Sequence, residues 1–503
     1  MAENRTRRRR KKTVFDGGAV TFNTSSSPLQ VFKNIVNARW RLPAGISSLL
    51  LMVYVFIYSS DFLILLNPVD ALASLQFTAS GGGTDDARSD QIEEFKATLG
   101  IGIYIFVLLY SVFFLKTIVK TLVAHPHILL IIAVLLYGTT VSVNPQQVFF
   151  STVQIGIGIL IAIVYATQHS GSDRWDRKFC LTILFPVFLV HLYSFVLFFA
   201  NELSVIEFAE GSARYGGLPG NPNVAGASAV LGVWSSLYIL LGGGNSRAIK
   251  IYCSLALCLF AFTIVMSGSG TSITVSIAII AMLIWLKFLT LFRSSVKRVV
   301  YVGSGVLVMF SLVGFILVND ATEELTETFT SSLGKRTDLT GRTELWEIAA
   351  AAIEERPFLG WSFDQHETVQ ENRKYVIPQD LGHFHNGFLD TAVAGGLVLL
   401  ALVLWNMIGY VRNCFKTRGD TSFMYGFVGP VVILVLMNLS EYSLLRPLSV
   451  LFEFYLCAYF LLVMSRLAEE EAGAPVAIAP DARPVKIKSD RKRTSKGGVR
   501  YRF

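Results

Sequence analysis

Two residues at opposite ends of one polar stretch have side chains suited to chemistry. His385 lies near its end, in the segment G-H-F-H-N-G at 382–387. A neutral imidazole can accept a proton from a hydroxyl group because its pKa lies near ambient pH. Arg342 lies near the start, in T-G-R-T-E-L-W, and a planar guanidinium matches phosphate oxygens in a bidentate manner. The pair predicts a site that combines a base with an anion pocket.

Arg342 opens a segment with the spacing of an amphipathic helix. Residues 342–355 place apolar side chains at i, i+3, i+4, i+7 and i+8, and Pro357 stops the pattern. We expect this helix to lie along a membrane surface or on a helix bundle, with Thr340 as its N-cap. The apolar positions are Leu345, Ile348, Ala349, Ala352 and Ile353.

The first turn of a helix favours an anion, because free backbone N–H groups and the helix dipole meet there. Arg342 in that turn predicts a phosphate or pyrophosphate site, and Trp346 lies one turn further on the same face. The alternative is a surface ion pair of Arg342 with Glu344 or Glu347. The sequence leaves both interpretations open.

Three neighbours of His385 are candidates for supporting roles. Asn386 follows it directly, and Asp390 lies one helical turn further, within the next apolar run. A carboxylate in such a run is costly unless it is paired or functional, so Asp390 either orients His385 or bonds to a neighbouring helix. His383 forms an H-x-H pair with His385, but no further ligand residues cluster in the sequence there, so we expect no metal ion.

Two further arginines lie near the expected outer ends of apolar runs. Arg214 begins the segment R-Y-G-G-L-P-G-N-P-N at 214–223, whose Gly, Pro and Asn residues are typical of a tight turn. It is either a second anion contact or a solvated arginine beside that turn. Arg446, in the short last outer loop, is a weaker candidate for an anion contact.

The elements that must position these residues are predicted to be membrane-spanning helices. The chain is 52% hydrophobic and 16% charged, whereas soluble domains average about 25% charged residues. Its apolar runs are about 20 residues long, enough to cross about 30 Å of hydrocarbon. The predicted fold is an all-α polytopic membrane protein with about twelve transmembrane helices. The expected spans are 45–66, 98–115, 127–143, 148–166, 179–200, 223–242, 249–266, 273–291, 299–318, 387–410, 421–439 and 448–465.

The distribution of charge predicts the orientation of the chain. Basic residues occupy alternate loops and both tails, which the positive-inside rule assigns to the cytoplasm. We therefore place the opposite loops, with the longest polar interval, outside. The predicted parts are a basic cytoplasmic tail at 1–44, spans one to nine at 45–318, a large outer loop carrying the site at 319–386, spans ten to twelve at 387–465, and a second basic cytoplasmic tail at 466–503.

The net charge of +8 does not indicate nucleic-acid binding. The basic tails are expected to act as topology signals and to contact lipid headgroups. The chain has five cysteines. Because all five fall outside the expected outer loops, the sequence suggests no disulfide framework.

The motifs occur in an order that resembles a known family. An R-Y-x-G-x-x-x-N-P-N loop comes first, followed by G-R-x-x-x-W, then E-R-P-F-L-G-W, and finally H-N-G-F-L-D-x-x-x-x-G-G. Together with the expected topology, this order resembles the O-antigen ligase and Wzy-type polysaccharide polymerase superfamily over roughly residues 200–410.

The resemblance implies a metal-independent inverting glycosyltransferase of the bacterial inner membrane, without a cofactor, whose donor is an oligosaccharide on undecaprenyl diphosphate. The family's loop histidine, which acts as a base or positions the acceptor, corresponds to His385, and its diphosphate-binding arginines correspond to Arg342 and Arg214. Members often carry a basic residue where this chain has Gly270. Arg214, Arg446 or the N–H groups of the glycine-rich turn are the candidate replacements.

Polymerisation of lipid-linked repeat units is the favoured function, with an acceptor glycan, membrane lipids, and chain-length or export proteins as partners. Ligation of a finished glycan to a lipid or protein acceptor relies on the same motifs and remains open. A lipid-linked glycan transporter would place its site near the membrane midplane, where Asp61 and Glu453 are the acids that would have to serve. A purely structural membrane protein is the remaining alternative.

Overall fold

The computed structural model describes residues 44–59, 101–200, 206–209, 212–290, 342–364, 368–369, 383–416, 424–447 and 449–471. These residues form helices and one short hairpin. The helices are α1 Ala44–Ser59, α2 Ile101–Val112, α3 Leu115–Ala124, α4 Pro126–Gly138, α5 Pro145–His169, α6 Trp175–Phe199, α7 Pro222–Gly242, α8 Arg247–Ser267, α9 Gly270–Leu289, α10 Arg342–Glu355, α11 Gly387–Lys416, α12 Gly429–Met437 and α13 Val450–Glu471, with a 3-10 helix at Met424–Val428. The strands are β1 Ile206–Ala209 and β2 Ser212–Tyr215.

Seven helices in the described part of the chain are long and apolar enough to cross a membrane: α5, α6, α7, α8, α9, α11 and α13. Each coincides with an expected span, so the prediction of a multi-pass helical membrane protein is confirmed. Shorter apolar helices at Gly45–Phe56, Pro126–Gly138 and Tyr425–Met437 coincide with three more expected spans. The expected span at 299–318 lies outside the described residues, as do nearly all of both tails and part of the outer loop. The count of twelve therefore stays a prediction.

The expected span at 98–115 continues into a sharp bend. Helices α2 and α3 meet at 89°, and the N–H groups of Phe113 and Phe114 bond three residues back, to Tyr110 and Ser111. Such bonds tighten the last turn of a helix. Lys116 and Lys120, which follow the bend on α3, are both exposed.

The hairpin is the one departure from the all-α prediction among the described residues. Strands β1 and β2 pair antiparallel, with Glu207 opposite Arg214. The expected loop therefore has strand structure just before the turn that leads into α7. The physical reason is the alternation of Ile206 and Phe208 with smaller or polar residues, which suits a strand.

Helix α7 lies at the centre of the described bundle, against α6, α8 and α9. Gly232 allows close approach of α8, because the ring of Phe260 occupies the space that a Cβ atom would fill. Trp234 donates its indole N–H to the carbonyl of Gly426 at 3.1 Å, and its ring packs against Phe454. These contacts join α7 to the Met424–Val428 segment and to α13 in the buried core.

Candidate functional site

Helix α10 begins at Arg342 and ends at Glu355, as the spacing predicts. Its apolar face is buried: Leu345, Ala349 and Ala352 belong to a cluster with Phe384 and Val393. Of the two positions expected for this helix, along the membrane surface or on the bundle, the structure shows packing against α11. Thr340 and the side chain of Arg342 lie outside the described residues, so their predicted roles are untested.

Trp346 connects α10 to the segment of His385. Its indole N–H donates to the carbonyl oxygen of Phe384 at 3.0 Å, across 38 positions of sequence. Phe384 is the residue just before His385, and Arg342 begins α10 about one helical turn before Trp346. The structure thus brings the start of α10 and the histidine segment to the same place.

Phe384 is held on its other side by Asp390. The Asp390 carboxylate is buried, and its Oδ1 accepts the backbone N–H of Phe384 at 3.0 Å. The peptide groups next to His385 are therefore fixed by Trp346 and Asp390 together. The sequence predicted that a carboxylate in this apolar run would need a bonding partner. The bond to Phe384 supplies one, because a buried polar group is costly without hydrogen bonds. Asp390 orders the backbone that leads into His385.

His385 has an unusual backbone conformation. Its φ of +50° lies in the left-handed region, which few residues other than glycine adopt. Its N–H donates to Nδ1 of His383 at 3.1 Å, and the two rings lie 4.1 Å apart between centroids. Nδ1 of His383 is thus an acceptor within the segment. Strained backbone of this kind often occurs at functional sites, and here it sets the direction of a half-buried imidazole.

Asn386 caps the helix that follows. Its Oδ1 accepts the N–H groups of Phe388 and Leu389 at 3.0 and 3.2 Å, which satisfies free donors at the start of α11. Its Nδ2 donates to the carbonyl of Leu439 at 3.4 Å. Asn386 therefore joins the histidine segment to the last outer loop, which gives this predicted supporting residue a structural role.

The last outer loop is organised by Asn438, which the sequence reasoning did not identify. Its Oδ1 accepts from the N–H groups of Ser443 and Leu444, both at 2.8 Å, and its backbone oxygen accepts from Gly387 at 2.9 Å. A Cβ atom at Gly387 would overlap the Asn438 side chain. An Asn at the end of an apolar run was the available signal, since Asn bonds readily to nearby backbone.

Arg446 lies at the edge of this assembly. It is exposed, and its guanidinium carbon lies 5.8 Å from the ring centroid of Tyr442. That ring lies 5.6 Å from the ring of His383. Arg446 is therefore connected to the histidine segment through Tyr442.

Arg214 binds the C-terminal end of α8. Its Nε donates to the carbonyl of Ser267 at 3.0 Å, and Nη2 donates to Oδ1 of Asn223 at 3.1 Å. The last carbonyls of a helix lack partners within the helix and attract cations. A guanidinium has more N–H donors than these two bonds use. Arg214 is thus a positioned cation that retains donors for an anion.

The glycine-rich turn around Gly270 lies between Arg214 and the last outer loop. Arg214 contacts its first residue, Ser267, and the hydroxyl of Thr271 shares a hydrogen bond with that of Ser440 at 2.7 Å. Ser440 belongs to the loop whose backbone meets Asn386 and Gly387. A continuous series of contacts therefore joins Arg214 to the histidine segment at one end of the bundle.

A break in α11 receives the turn that follows α10. Gly395 and Gly396 leave helical geometry, and the freed N–H groups of Leu397 and Val398 donate to the carbonyls of Pro357 and Phe358 at 2.7 and 3.3 Å. The P-F-L-G-W motif at 357–361 is thus hydrogen-bonded to the helix break at the G-G motif, Gly395 and Gly396.

The same turn is fixed at its end. Trp361 donates its backbone N–H to the carbonyl of Val393 at 2.8 Å, and its indole N–H to the carbonyl of Ala352 at 2.8 Å. Helix α10 is therefore held at both of its ends, by the bond of Trp346 to the histidine segment and by the bonds of this turn to α11.

Residues 255–404 match a family model described as O-Antigen ligase. The matched region runs from α8 into α11 and includes Gly270, α10, His385 and the glycine break. The resemblance to the O-antigen ligase and Wzy-type polymerase superfamily is confirmed.

A curated relative is the exopolysaccharide production protein ExoQ of Rhizobium meliloti strain 1021. It is 24% identical to this chain over 254 residues, which are 48% of this chain and 57% of ExoQ. The match thus spans little more than half of the relative's length. The family match and the helices agree on a multi-pass membrane protein.

Proposed function

We propose that this protein is a polysaccharide polymerase that joins undecaprenyl-diphosphate-linked repeat units at the outer face of the bacterial inner membrane. One observation carries the proposal: Trp346 and Asp390 hold Phe384 from both sides, which brings the start of α10 to His385. The match to the O-antigen ligase family covers these elements. The relative ExoQ is an exopolysaccharide production protein, which favours exopolysaccharide as the product.

In the proposed reaction His385 acts as the base. A nitrogen of its imidazole accepts the proton of a sugar hydroxyl while that oxygen bonds to the anomeric carbon of the donor. The bond between the anomeric carbon and the diphosphate oxygen breaks, and the diphosphate leaves with the electron pair. One displacement inverts the anomeric carbon. Two substrates held at one membrane surface also gain from proximity, because their encounter no longer costs free translation.

Arginines stabilise the leaving group in this proposal. Arg342, in the first turn of α10, and Arg214, at the end of α8, meet the charge that develops on the diphosphate. Arg214 is the preferred replacement for the basic residue absent at Gly270, because it contacts the same turn. Since guanidinium groups supply the positive charge, the proposed reaction requires no metal ion or cofactor.

Arg214→Lys is expected to reduce polymer formation at least about tenfold. A lysine ammonium lacks the planar set of N–H donors with which a guanidinium can bond Ser267, Asn223 and a phosphate at the same time. Lipid-linked donor should accumulate while protein abundance stays unchanged. The measurement is extraction of labelled lipid-linked glycan from a deletion strain that carries each variant. Arg247→Lys is the matched control, since Arg247 is exposed at the other end of α8 from Ser267. Equal effects of the two substitutions would contradict the role of Arg214.

Ligation of a finished glycan to a lipid or protein acceptor is the second candidate. It is favoured by the description of the matching family model. Both reactions use the same donor chemistry, so the size of the accumulated glycan separates them. Chain-length and export proteins are partners under the polymerase proposal, because the length of a growing polymer must be controlled and the product must be exported.

The deciding experiment separates lipid-linked and surface glycans by size in a strain that lacks the gene. Single repeat units without long polymer are the expected result, and complementation should restore the polymer. Full-length polymer retained on the lipid carrier would establish a ligase instead. Repeat units confined to the cytoplasmic leaflet would indicate a transporter and would remove the assigned role of His385.

A further inference from the structure

The turn Pro357–Trp361 carries two apolar side chains that the described protein leaves uncovered. Phe358 is 72% exposed and Leu359 is 39% exposed, whereas Trp361 is buried. The turn is bonded directly to Leu397 and Val398, which are 49% and 38% exposed. We name these four residues, Phe358, Leu359, Leu397 and Val398, the outer collar.

The outer collar marks a change in the surroundings of α11. Among the described residues from Gly387 to Gly396 none is exposed, because α10 and the bundle cover them. Beyond the break the helix has a row of exposed apolar residues. They are Leu397, Val398, Leu404, Trp405, Ile408 and Phe415.

The second half of α11 has the length and charge pattern of a complete span. From Leu397 to Lys416 it rises about 30 Å, which equals the thickness of the hydrocarbon layer. Arg412 and Lys416 lie at its far end, where headgroups on the cytoplasmic side would accept them. The outer boundary of the hydrocarbon therefore falls near the outer collar.

We propose that the turn Pro357–Trp361 is a membrane anchor of the outer loop, with Phe358 and Leu359 inserted among the acyl chains of the outer leaflet. Irregular backbone is costly in lipid unless its polar groups are bonded within the protein. This turn meets that condition at several groups. The carbonyls of Pro357 and Phe358 and the N–H of Trp361 are all bonded to α11, and proline has no N–H.

The flanking residues fit an interfacial position. Arg356 precedes the turn, is half-buried, and places its guanidinium 3.9 Å from the ring centroid of Trp361. A cation next to an inserted apolar pair suits the headgroup layer, where arginine side chains meet phosphate. The anchor would hold the C-terminal end of α10 at the membrane surface, independently of the reaction that the site performs.

Spin-label accessibility tests the proposal on the full-length protein in liposomes of phosphatidylethanolamine and phosphatidylglycerol. Phe358→Cys is made in a Cys258→Ala background, because Cys258 is exposed and the other four cysteines are buried. After nitroxide labelling, power saturation compares collisions with oxygen, which enters lipid, and with a nickel chelate, which stays in water. Glu354→Cys, an exposed residue on α10, is the aqueous control, and Trp405→Cys is the lipid-facing control.

The expected result is an oxygen-to-nickel accessibility ratio at position 358 several-fold above that at position 354 and near that at position 405. A ratio equal to that at position 354 would place the turn in water and overturn the proposal. Low accessibility to both reagents would show a protein cover, such as a second copy, and would also overturn it. If Phe358→Cys does not accumulate, the same comparison at Leu359→Cys decides.

Discussion

Replacing His385 with asparagine is expected to reduce polymer formation at least about 100-fold, while the protein still accumulates in the membrane. Under the proposed reaction, asparagine cannot accept the proton of the attacking hydroxyl. Asparagine is the sharper replacement because His385 has a φ of +50°, a conformation that asparagine tolerates well. His385→Ala is expected to abolish product too, but alanine adopts the left-handed region less often than His or Asn does, so that substitution also disturbs the backbone.

The measurement is gel separation of polysaccharide from a deletion strain that carries each variant, with immunoblotting of the protein in the same membranes. Glu354→Gln is the matched control, because Glu354 is exposed on α10 and its loss should leave polymer within about twofold of wild type, as for most surface substitutions. Near-normal polymer from His385→Asn would refute the assignment of the base.

Local sequence patterns predicted most helices well, because a helix depends mainly on the spacing of apolar residues within one segment. Apolar runs placed the seven long helices, and the 3.6-residue period placed α10 with its buried face. Pro357 correctly marked its end, since proline cannot continue a helix. The β1–β2 hairpin and the bend after Val112 were not predicted. Each is too short for a periodic signal to distinguish it from a loop or a straight span.

Local sequence patterns could not predict the contacts that assemble the site, because these contacts join residues that are far apart in the sequence. Trp346 was expected on the face of Arg342, but its bond to Phe384 depends on how α10 docks. Asp390 was expected to bond either His385 or a neighbouring helix, and its described bond is to the backbone of Phe384. Asn438 gave only a turn signal. The sequence identified candidate polar residues separately, and only the fold shows which of them lie in contact.

Gly396→Ala is expected to detach the outer loop from α11 and to abolish polymer formation. Gly396 has a φ of +68°, and a Cβ atom there would overlap the carbonyl of Phe358. With a ψ of −173°, Gly396 lies in a backbone region that essentially only glycine adopts. That conformation costs an alanine about 1–3 kcal/mol, and overlap with a backbone oxygen adds to the cost. Because 1.4 kcal/mol is a factor of about ten, local opening of the turn should rise at least about tenfold. Helix α10 would then lose its attachment at Pro357 and Phe358, and with it the hold of Trp346 on Phe384.

The measurement is proteolysis of spheroplasts by a protease that cleaves after glutamate, because Glu354 and Glu355 are exposed at the end of α10. Cleavage should be at least about tenfold faster in Gly396→Ala than in wild type, by the same strain argument. Gly409→Ala is the matched control on the same helix, since a Cβ there meets only Tyr459 at an ordinary 4.0 Å and alanine favours helix. Unchanged cleavage in Gly396→Ala would mean that α10 does not depend on the break. In that case the apolar face of α10 and Trp346 would be sufficient to hold α10 on the bundle. The bonds between the turn and α11 would then result from that packing and would not cause it.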